Sequence, residues 1–120
     1  LDVTRQALLS SEIISRYSQE GGVTATFVRD CTGRYVEFHQ RSKNINGCFL
    51  HDPLAVAIAI RENLVTLVPA QVDVETAGNL TMGMTVADLR LLSRSTHNAR
   101  VCTALDVQDF LTLFTERVLA

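Results

Sequence analysis

The sequence has little that would tie it to a membrane or to nucleic acid. No apolar run approaches the roughly 20 residues that a spanning helix needs. Lys and Arg number 11 against 13 Asp and Glu, which gives a formal net charge of −2. No basic excess is therefore available to neutralise a phosphate backbone. We expect neither nucleic acid nor a membrane as a partner, and a small neutral ligand fits better.

The sequence also lacks cysteine spacings typical of a disulfide framework or a zinc site. Its three cysteines are an odd number, lie far apart and form no C-x-x-C pair; they are Cys31, Cys48 and Cys102. We expect buried thiols in a reducing compartment. No basic segment followed by an apolar segment is present, and no lipidation signal, so we expect a cytoplasmic location.

What is present is the composition of a globular protein, with 47% apolar and 20% charged residues. The 120 residues amount to one domain. The first residue is leucine, and Leu-Asp-Val-Thr at residues 1–4 has the pattern of a strand end that enters a helix. We therefore expect the chain to begin inside a domain.

Three helices are predicted in the first half of the chain. Ser10 or Ser11 should cap the first, and Gly21 with Gly22 should end it through left-handed backbone. The second should cover residues 23–42. Its apolar residues recur at spacings of three and four, which predicts one buried stripe, formed by Phe27, Cys31, Tyr35 and Phe38 or His39.

Asp52 and Pro53 predict the start of the third helix, because Asp is a good N-cap and Pro suits the first helical position. Residues 54–60 are apolar nearly all round, so we expect burial on most sides. Strands are predicted near residues 68–75, 82–87 and 100–104, as an antiparallel meander. Residues 93–98 should form a polar loop, and Asp106 should cap a final helix.

His51 and Asp52, which Pro53 follows, form the one titratable pair at a well-specified helix start. By local propensity alone, Asp52 is a cap and His51 an ordinary surface or core histidine. The surrounding sequence offers another interpretation. Phe-Leu-His-Asp-Pro-Leu-Ala-Val-Ala at residues 49–57 resembles a segment near the C-terminal end of nucleoside hydrolases. Further resemblances, in family order, lie at residues 1–4, 72–78, 80–81, 83–86 and 98–101 and in the final helix.

The resemblance implies a fold and a reaction. The fold would be α/β, with residues 1–120 as the C-terminal fragment of a single nucleoside hydrolase domain built on an open, mainly parallel sheet. The reaction would be calcium-dependent hydrolysis of the N-glycosidic bond of ribonucleosides to free base and ribose, in a homodimer or homotetramer. The aspartate-rich loop that holds most of the family's metal site is absent, so we expect this chain alone to be inactive.

The resemblance also assigns site residues. Asp52 would be one carboxylate ligand of Ca²⁺, on a concave surface, and His51 would face the nucleobase and protonate it as it leaves. Tyr35 and His39 lie one helical turn apart and could contact the base, although ordinary packing explains such a pair equally well. Asp73 and Glu75 are expected to be solvated, and His97 to have no chemical role.

The sequence departs from the family pattern at two positions, and it leaves two alternative functions open. Arg5 stands where the family commonly has His, and Met82 where Arg is common. One rival is a non-catalytic binding or assembly module that retains the hydrolase scaffold. The other is a metal-dependent hydrolase that acts on different substrates.

Overall fold

The computed structural model describes residues 1–90 and 96–119. Positions 93–95 of the predicted polar loop lie outside the described residues. No described helix is both long and apolar enough to cross a membrane. The elements are, in order, a 3₁₀ turn Thr4–Gln6, β1 Leu8–Ser10, α1 Ser11–Glu20, α2 Val23–Lys43, β2 Gly47–Phe49, α3 His51–Ile60, a 3₁₀ turn Glu62–Leu64, β3 Val65–Val74, β4 Thr85–Asp88, β5 Ala99–Leu105, α4 Val107–Phe114 and a π-helical turn Thr115–Leu119.

The chain divides into two compact units. The first comprises Leu1–Leu64 and Leu105–Ala120, and the second Val65–Ala104. In the first unit β1 pairs antiparallel with β2, and Leu9 lies opposite Cys48, both fully buried. Sequence patterns did not predict either strand.

The strand predicted at residues 1–4 is wrong. The Arg5 N–H donates to the Leu1 carbonyl (2.9 Å) and the Gln6 N–H to the Val3 carbonyl (3.0 Å), so the chain turns here. Val3 and Ala7 are buried on either side of the turn. The apolar residues of this segment therefore anchor a tight turn that leads into β1.

The cap of α1 is confirmed, but its end differs from the prediction. Ser10 Oγ accepts a hydrogen bond from the Ile13 N–H (3.3 Å). Gly21 ends the helix with φ −95°, which is not left-handed, so the predicted reason for glycine is wrong. A Cβ on Gly21 would lie 2.7 Å from the Leu119 carbonyl oxygen and would also clash with the Tyr17 carbonyl oxygen. Glycine is needed for close approach of backbone segments.

We expect Gly21→Ala to lower the free energy of unfolding by about 1–3 kcal/mol, because both obstructing atoms belong to backbone that cannot rotate away. The matched control is Gly33→Ala in the middle of α2, where an added Cβ meets nothing within 4 Å. That change should stabilise the protein by about 0.5–1 kcal/mol through better helix propensity. Urea unfolding followed by circular dichroism measures both, and a harmless Gly21→Ala would contradict the close approach.

The buried stripe predicted for α2 is wrong in most of its residues. Phe27 is 64% exposed and Phe38 58% exposed, and Cys31 is exposed as well. The buried residues of α2 are Ala25 and His39. Helical periodicity identified an apolar face correctly, but within this chain little packs against it.

The start and the burial of α3 also differ from the prediction. The Leu54 N–H donates to the Leu50 carbonyl (3.1 Å), which makes Leu50 the N-cap and places Asp52 inside the first turn. Asp52 is therefore not the cap. Pro53 still fits, because the first-turn N–H groups of a helix have no intrahelical partner. Only Leu54 and Ala57 of the helix are buried, so the predicted burial on most sides is wrong.

The second unit is the predicted small antiparallel sheet with a different strand order. β3 is central, in the order β4–β3–β5, so the strands do not form a sequential meander. β3 pairs antiparallel with β4, with Gln71 opposite Asp88. On the other side the Asn98 side chain accepts from the Val72 N–H (2.8 Å) and donates to the Val72 carbonyl (2.9 Å). This amide imitates a strand residue and favours pairing of β5 with β3.

The cap of the final helix is confirmed. The Asp106 carboxylate accepts from the Asp109 N–H (2.9 Å), and Phe110 is fully buried. Asp109 also forms an ion pair of 2.6 Å with Arg61, the residue that follows α3. These contacts join α4 to the end of α3 within the first unit.

Candidate active site

The start of α3 is held in place by the chain that precedes it. β2 ends at Phe49, and the Leu50 N–H then donates to the Ala7 carbonyl (2.8 Å). Leu50 is buried. Because this hydrogen bond fixes the residue immediately before His51, the position of the first helical turn is set by residues from the beginning of the chain.

His51 is half-buried and contacts two side chains. Its Nδ1 lies 2.7 Å from the Thr4 Oγ1. Its ring centroid lies 5.8 Å from that of Phe49. One ring nitrogen is therefore engaged by a hydroxyl, and the other, Nε2, is at the opposite edge of the ring.

The Asp52 carboxylate is exposed next to His51. Within the described part of the chain it has no hydrogen bond and no ion pair. An ionised carboxylate without a partner has oxygen atoms free for a hard cation, so its chemistry fits one ligand of calcium. Among residues 1–90 and 96–119, no group of three or more His, Cys, Asp or Glu side chains could hold a metal ion. Asp52 is thus compatible with one position of a metal site and cannot form the site alone.

Tyr35 and His39 approach His51 through an intervening aromatic ring. Ring centroids are 4.3 Å apart for Tyr35 and His39, 5.2 Å for His39 and Phe49, and 5.8 Å for Phe49 and His51. His39 is only 3% exposed, whereas Tyr35 is 37% exposed. The four rings form a continuous row from α2 to the start of α3, in which Tyr35 offers a surface to solvent and His39 offers almost none.

Sequence patterns missed two members of this arrangement. Phe49 precedes His51 by two residues and lies on a strand too short to show periodicity. Thr4 lies 47 residues away from His51. The Thr4 contact depends on how distant segments pack, so no local signal identifies it. The Phe49 contact is local, but a strand of three residues has no pattern that predicts it.

Two depressions in the described part of the chain lie away from Asp52. One depression is lined by α2 residues, among them Arg34, Phe38 and Arg41, and another lies on the β3–β4 hairpin. Neither includes His51 or Asp52. The concave surface expected around Asp52 stays a prediction.

Glu75 and the cysteines have contacts or exposure that bear on their predicted roles. The Glu75 carboxylate accepts hydrogen bonds from the N–H groups of Ala77 (2.7 Å) and Gly78 (3.0 Å), which lower its pKa. It thus stabilises the turn after β3. Burial raises the pKa of the Cys48 thiol, in agreement with an inert thiol, but Cys31 is exposed and the prediction of burial is wrong for it.

The sequence and the fold match known proteins over nearly the whole chain. The family described as inosine-uridine preferring nucleoside hydrolase matches residues 1–112. The chain belongs to this nucleoside hydrolase family. The α/β fold class inferred from the His-Asp-Pro segment is confirmed by the structural neighbours.

Relatives within the family differ in the base that their names specify. The pyrimidine-specific ribonucleoside hydrolase RihA of Citrobacter koseri is 36% identical over 119 residues, covering 98% of this chain and 38% of the relative. A purine-preferring ribonucleoside hydrolase from Gardnerella vaginalis is 34% identical, with a TM-score of 0.84, covering 98% of this chain and 37% of that one. A plant nucleoside hydrolase with a TM-score of 0.89 and 18% identity, covering 100% of this chain and 40% of that one, shares the fold.

The chain spans about two fifths of the length of these hydrolases, between 37% and 40%. Because relatives of similar identity carry opposite base preferences in their names, identity assigns neither purine nor pyrimidine to this chain.

Proposed function

We propose that residues 1–120 are the C-terminal part of a nucleoside hydrolase domain that hydrolyses ribonucleosides to free base and ribose. The observation that carries the proposal is the pair at the start of α3. A free, exposed Asp52 carboxylate lies beside a histidine whose ring is held by Thr4. In the complete enzyme, by which we mean this chain together with the rest of the hydrolase domain, other carboxylates would surround the same point.

The proposed role of Asp52 is to supply one ligand of a Ca²⁺ ion. Calcium takes six to eight oxygen ligands, so a single carboxylate needs partners from elsewhere. When bound, the ion would orient the ribose diol and the attacking water. The position of Asp52 in the first turn of α3 agrees with this role, because the N-terminal end of a helix favours an ionised carboxylate.

The proposed role of His51 is to protonate the departing base. Cleavage of a glycosidic bond passes through an oxocarbenium-like state, and the base leaves more readily when it receives a proton or a strong hydrogen bond. Histidine can do so near neutral pH. Tyr35 would contact the base through its exposed side, and His39, which is buried beneath it, would support the Tyr35 ring.

Exposed apolar side chains of the first unit support the view that this part of the domain needs the remainder. Val56 is 61% exposed and Ile60 76% exposed on α3, and Val23 and Phe27 are exposed on α2. Soluble proteins rarely leave contiguous apolar faces uncovered. We propose that the rest of the hydrolase domain covers them. We also propose a cytoplasmic location and a homodimer or homotetramer, which light scattering of the complete enzyme would test.

We expect the 120-residue chain alone to show no measurable hydrolysis of nucleosides and only weak binding of calcium, because one carboxylate leaves most of the coordination shell to water. A reducing-sugar assay and titration calorimetry make the two measurements. Turnover by the isolated chain, abolished by Asp52→Ala, would contradict the proposed incomplete site.

The decisive test restores the missing part. The chain is joined to the portion of the Citrobacter koseri relative that precedes the matched segment, and is assayed with calcium on uridine, cytidine, inosine and adenosine. Hydrolysis that depends on Asp52 supports the proposal. A folded chimera that binds calcium without hydrolysing any nucleoside would favour the non-catalytic module instead, and hydrolysis of phosphoesters alone would favour a hydrolase of another class.

A further inference from the structure

The contact between His51 and Thr4 joins two segments of the chain that are distant in sequence. Thr4 begins the 3₁₀ turn Thr4–Gln6, and its neighbours Val3 and Ala7 are buried. The Ala7 carbonyl accepts from the Leu50 N–H (2.8 Å). The turn that presents the Thr4 hydroxyl is therefore tied by backbone to the residue directly before His51, so the hydroxyl and the ring keep a fixed relation.

The hydrogen bonds of Thr4 bear on which ring nitrogen of His51 carries the proton. A threonine hydroxyl has one hydrogen to donate, and Thr4 Oγ1 donates to the Leu1 carbonyl (3.3 Å). When that hydrogen points to the Leu1 carbonyl, Thr4 Oγ1 has a lone pair towards His51 and accepts from the Nδ1–H at 2.7 Å. A neutral His51 then carries its proton on Nδ1, and Nε2 is the nitrogen free to exchange a proton with a ligand.

The same hydrogen bond is compatible with the charged imidazolium, because both ring nitrogens then carry hydrogen and Nδ1 still donates to the hydroxyl. Phe49 neighbours the ring, with centroids 5.8 Å apart.

We propose that Thr4 is a positioning residue for His51, which fixes its tautomer and directs Nε2 towards the departing base. The proposal rests on the proposed function for its catalytic consequence, but not for the contact itself. A merely structural threonine would stabilise the turn without affecting how the reaction depends on the leaving group.

The kinetic test compares Thr4→Val with Thr4→Ser in the complete enzyme. Valine keeps the shape and removes the hydroxyl, whereas serine keeps the hydroxyl. We expect Thr4→Val to lower kcat for a natural nucleoside about tenfold, the worth of one hydrogen bond to a charged group, with little change in KM. The loss should shrink for nitrophenyl riboside, whose leaving group needs no proton, and Thr4→Ser should retain most of the activity.

Equal losses on both substrates, equal losses for Val and Ser, or unchanged kcat in Thr4→Val would overturn the proposal. A second measurement does not need turnover. In the complete enzyme labelled with ¹⁵N in histidine only, the imidazole signals absent from His51→Ala identify His51. Neutral His51 should show the Nδ1–H tautomer, and Thr4→Val should shift it towards Nε2–H.

An Nε2–H tautomer in the unsubstituted enzyme would overturn the proposal whatever the kinetics. If the unsubstituted enzyme hydrolysed no nucleoside, the proposed function would fail separately, and the imidazole signals would still decide whether Thr4 holds His51.

Discussion

Asp52→Ala in the complete enzyme should lower kcat/KM for nucleosides by about 100-fold or more, since changes even to residues that merely support metal ligands cost 10–100-fold. The Asp52 carboxylate is exposed and has no partner within the described residues, so nothing else in this segment would replace its oxygens. Calcium affinity and binding of the sugar should fall together. Added calcium should restore part of the activity if the remaining oxygen ligands still bind the ion with reduced affinity.

The matched control for this loss is Asp73→Ala. Asp73 is an exposed aspartate on β3, where its carboxylate accepts a hydrogen bond only from a neighbouring glutamine among the described residues. Its removal should leave calcium affinity unchanged. Titration calorimetry on both variants measures the difference. If Asp52→Ala bound calcium as tightly as the unsubstituted enzyme, the proposed ligand role would be wrong.

His51→Ala should lower kcat by about 10²–10⁴-fold for nucleosides whose base leaves poorly, which is the range that a positioned general acid contributes. Metal binding should remain intact, because His51 directs Nδ1 to Thr4 and is no oxygen ligand. The loss should shrink strongly for nitrophenyl riboside, whose leaving group departs without a proton. For each substrate, the loss is the ratio of kcat in the unsubstituted enzyme to kcat in His51→Ala. The difference between the loss on the nucleoside and the loss on nitrophenyl riboside measures the contribution of proton transfer.

His97→Ala provides the control for His51→Ala. His97 is exposed and lies in the second unit, and we predict no chemical role for it. Its removal should change neither kcat nor the ratio between substrates. If His51→Ala lost equal activity on both substrates, His51 would position the substrate or support packing and would not be the leaving-group acid.

Sequence patterns predicted those parts of the fold that are stabilised by residues close together in the sequence. Asp106 was identified as a cap, and the cap of α1 was narrowed to Ser10 or Ser11, because a cap acts on N–H groups two or three residues away. β3 was identified because alternation of side chains is intrinsic to an extended strand. The family was identified from the segment around His51 and Asp52, and the match over residues 1–112 confirms it. The roles of those two residues remain predictions.

Other features could not be predicted, because they depend on what a segment packs against. The strands β1 and β2 have three residues each, too few to show a period, and they exist only because they pair with each other. Apolar spacing in α2 and α3 identified apolar faces, but it carries no information about what covers them, and Phe27 and Ile60 are in fact exposed.

The sequence by itself therefore determined the family, the caps, the central strand and the position of the His-Asp pair along the chain, since each is carried by neighbouring residues. Only the tertiary structure decided that Leu50 and not Asp52 is the N-cap of α3, that an aromatic row joins Tyr35 to His51, and that Thr4 contacts the His51 ring. The physical reason is that these contacts form between segments as much as 47 residues apart, and their geometry is set by burial and backbone hydrogen bonds that no local pattern contains.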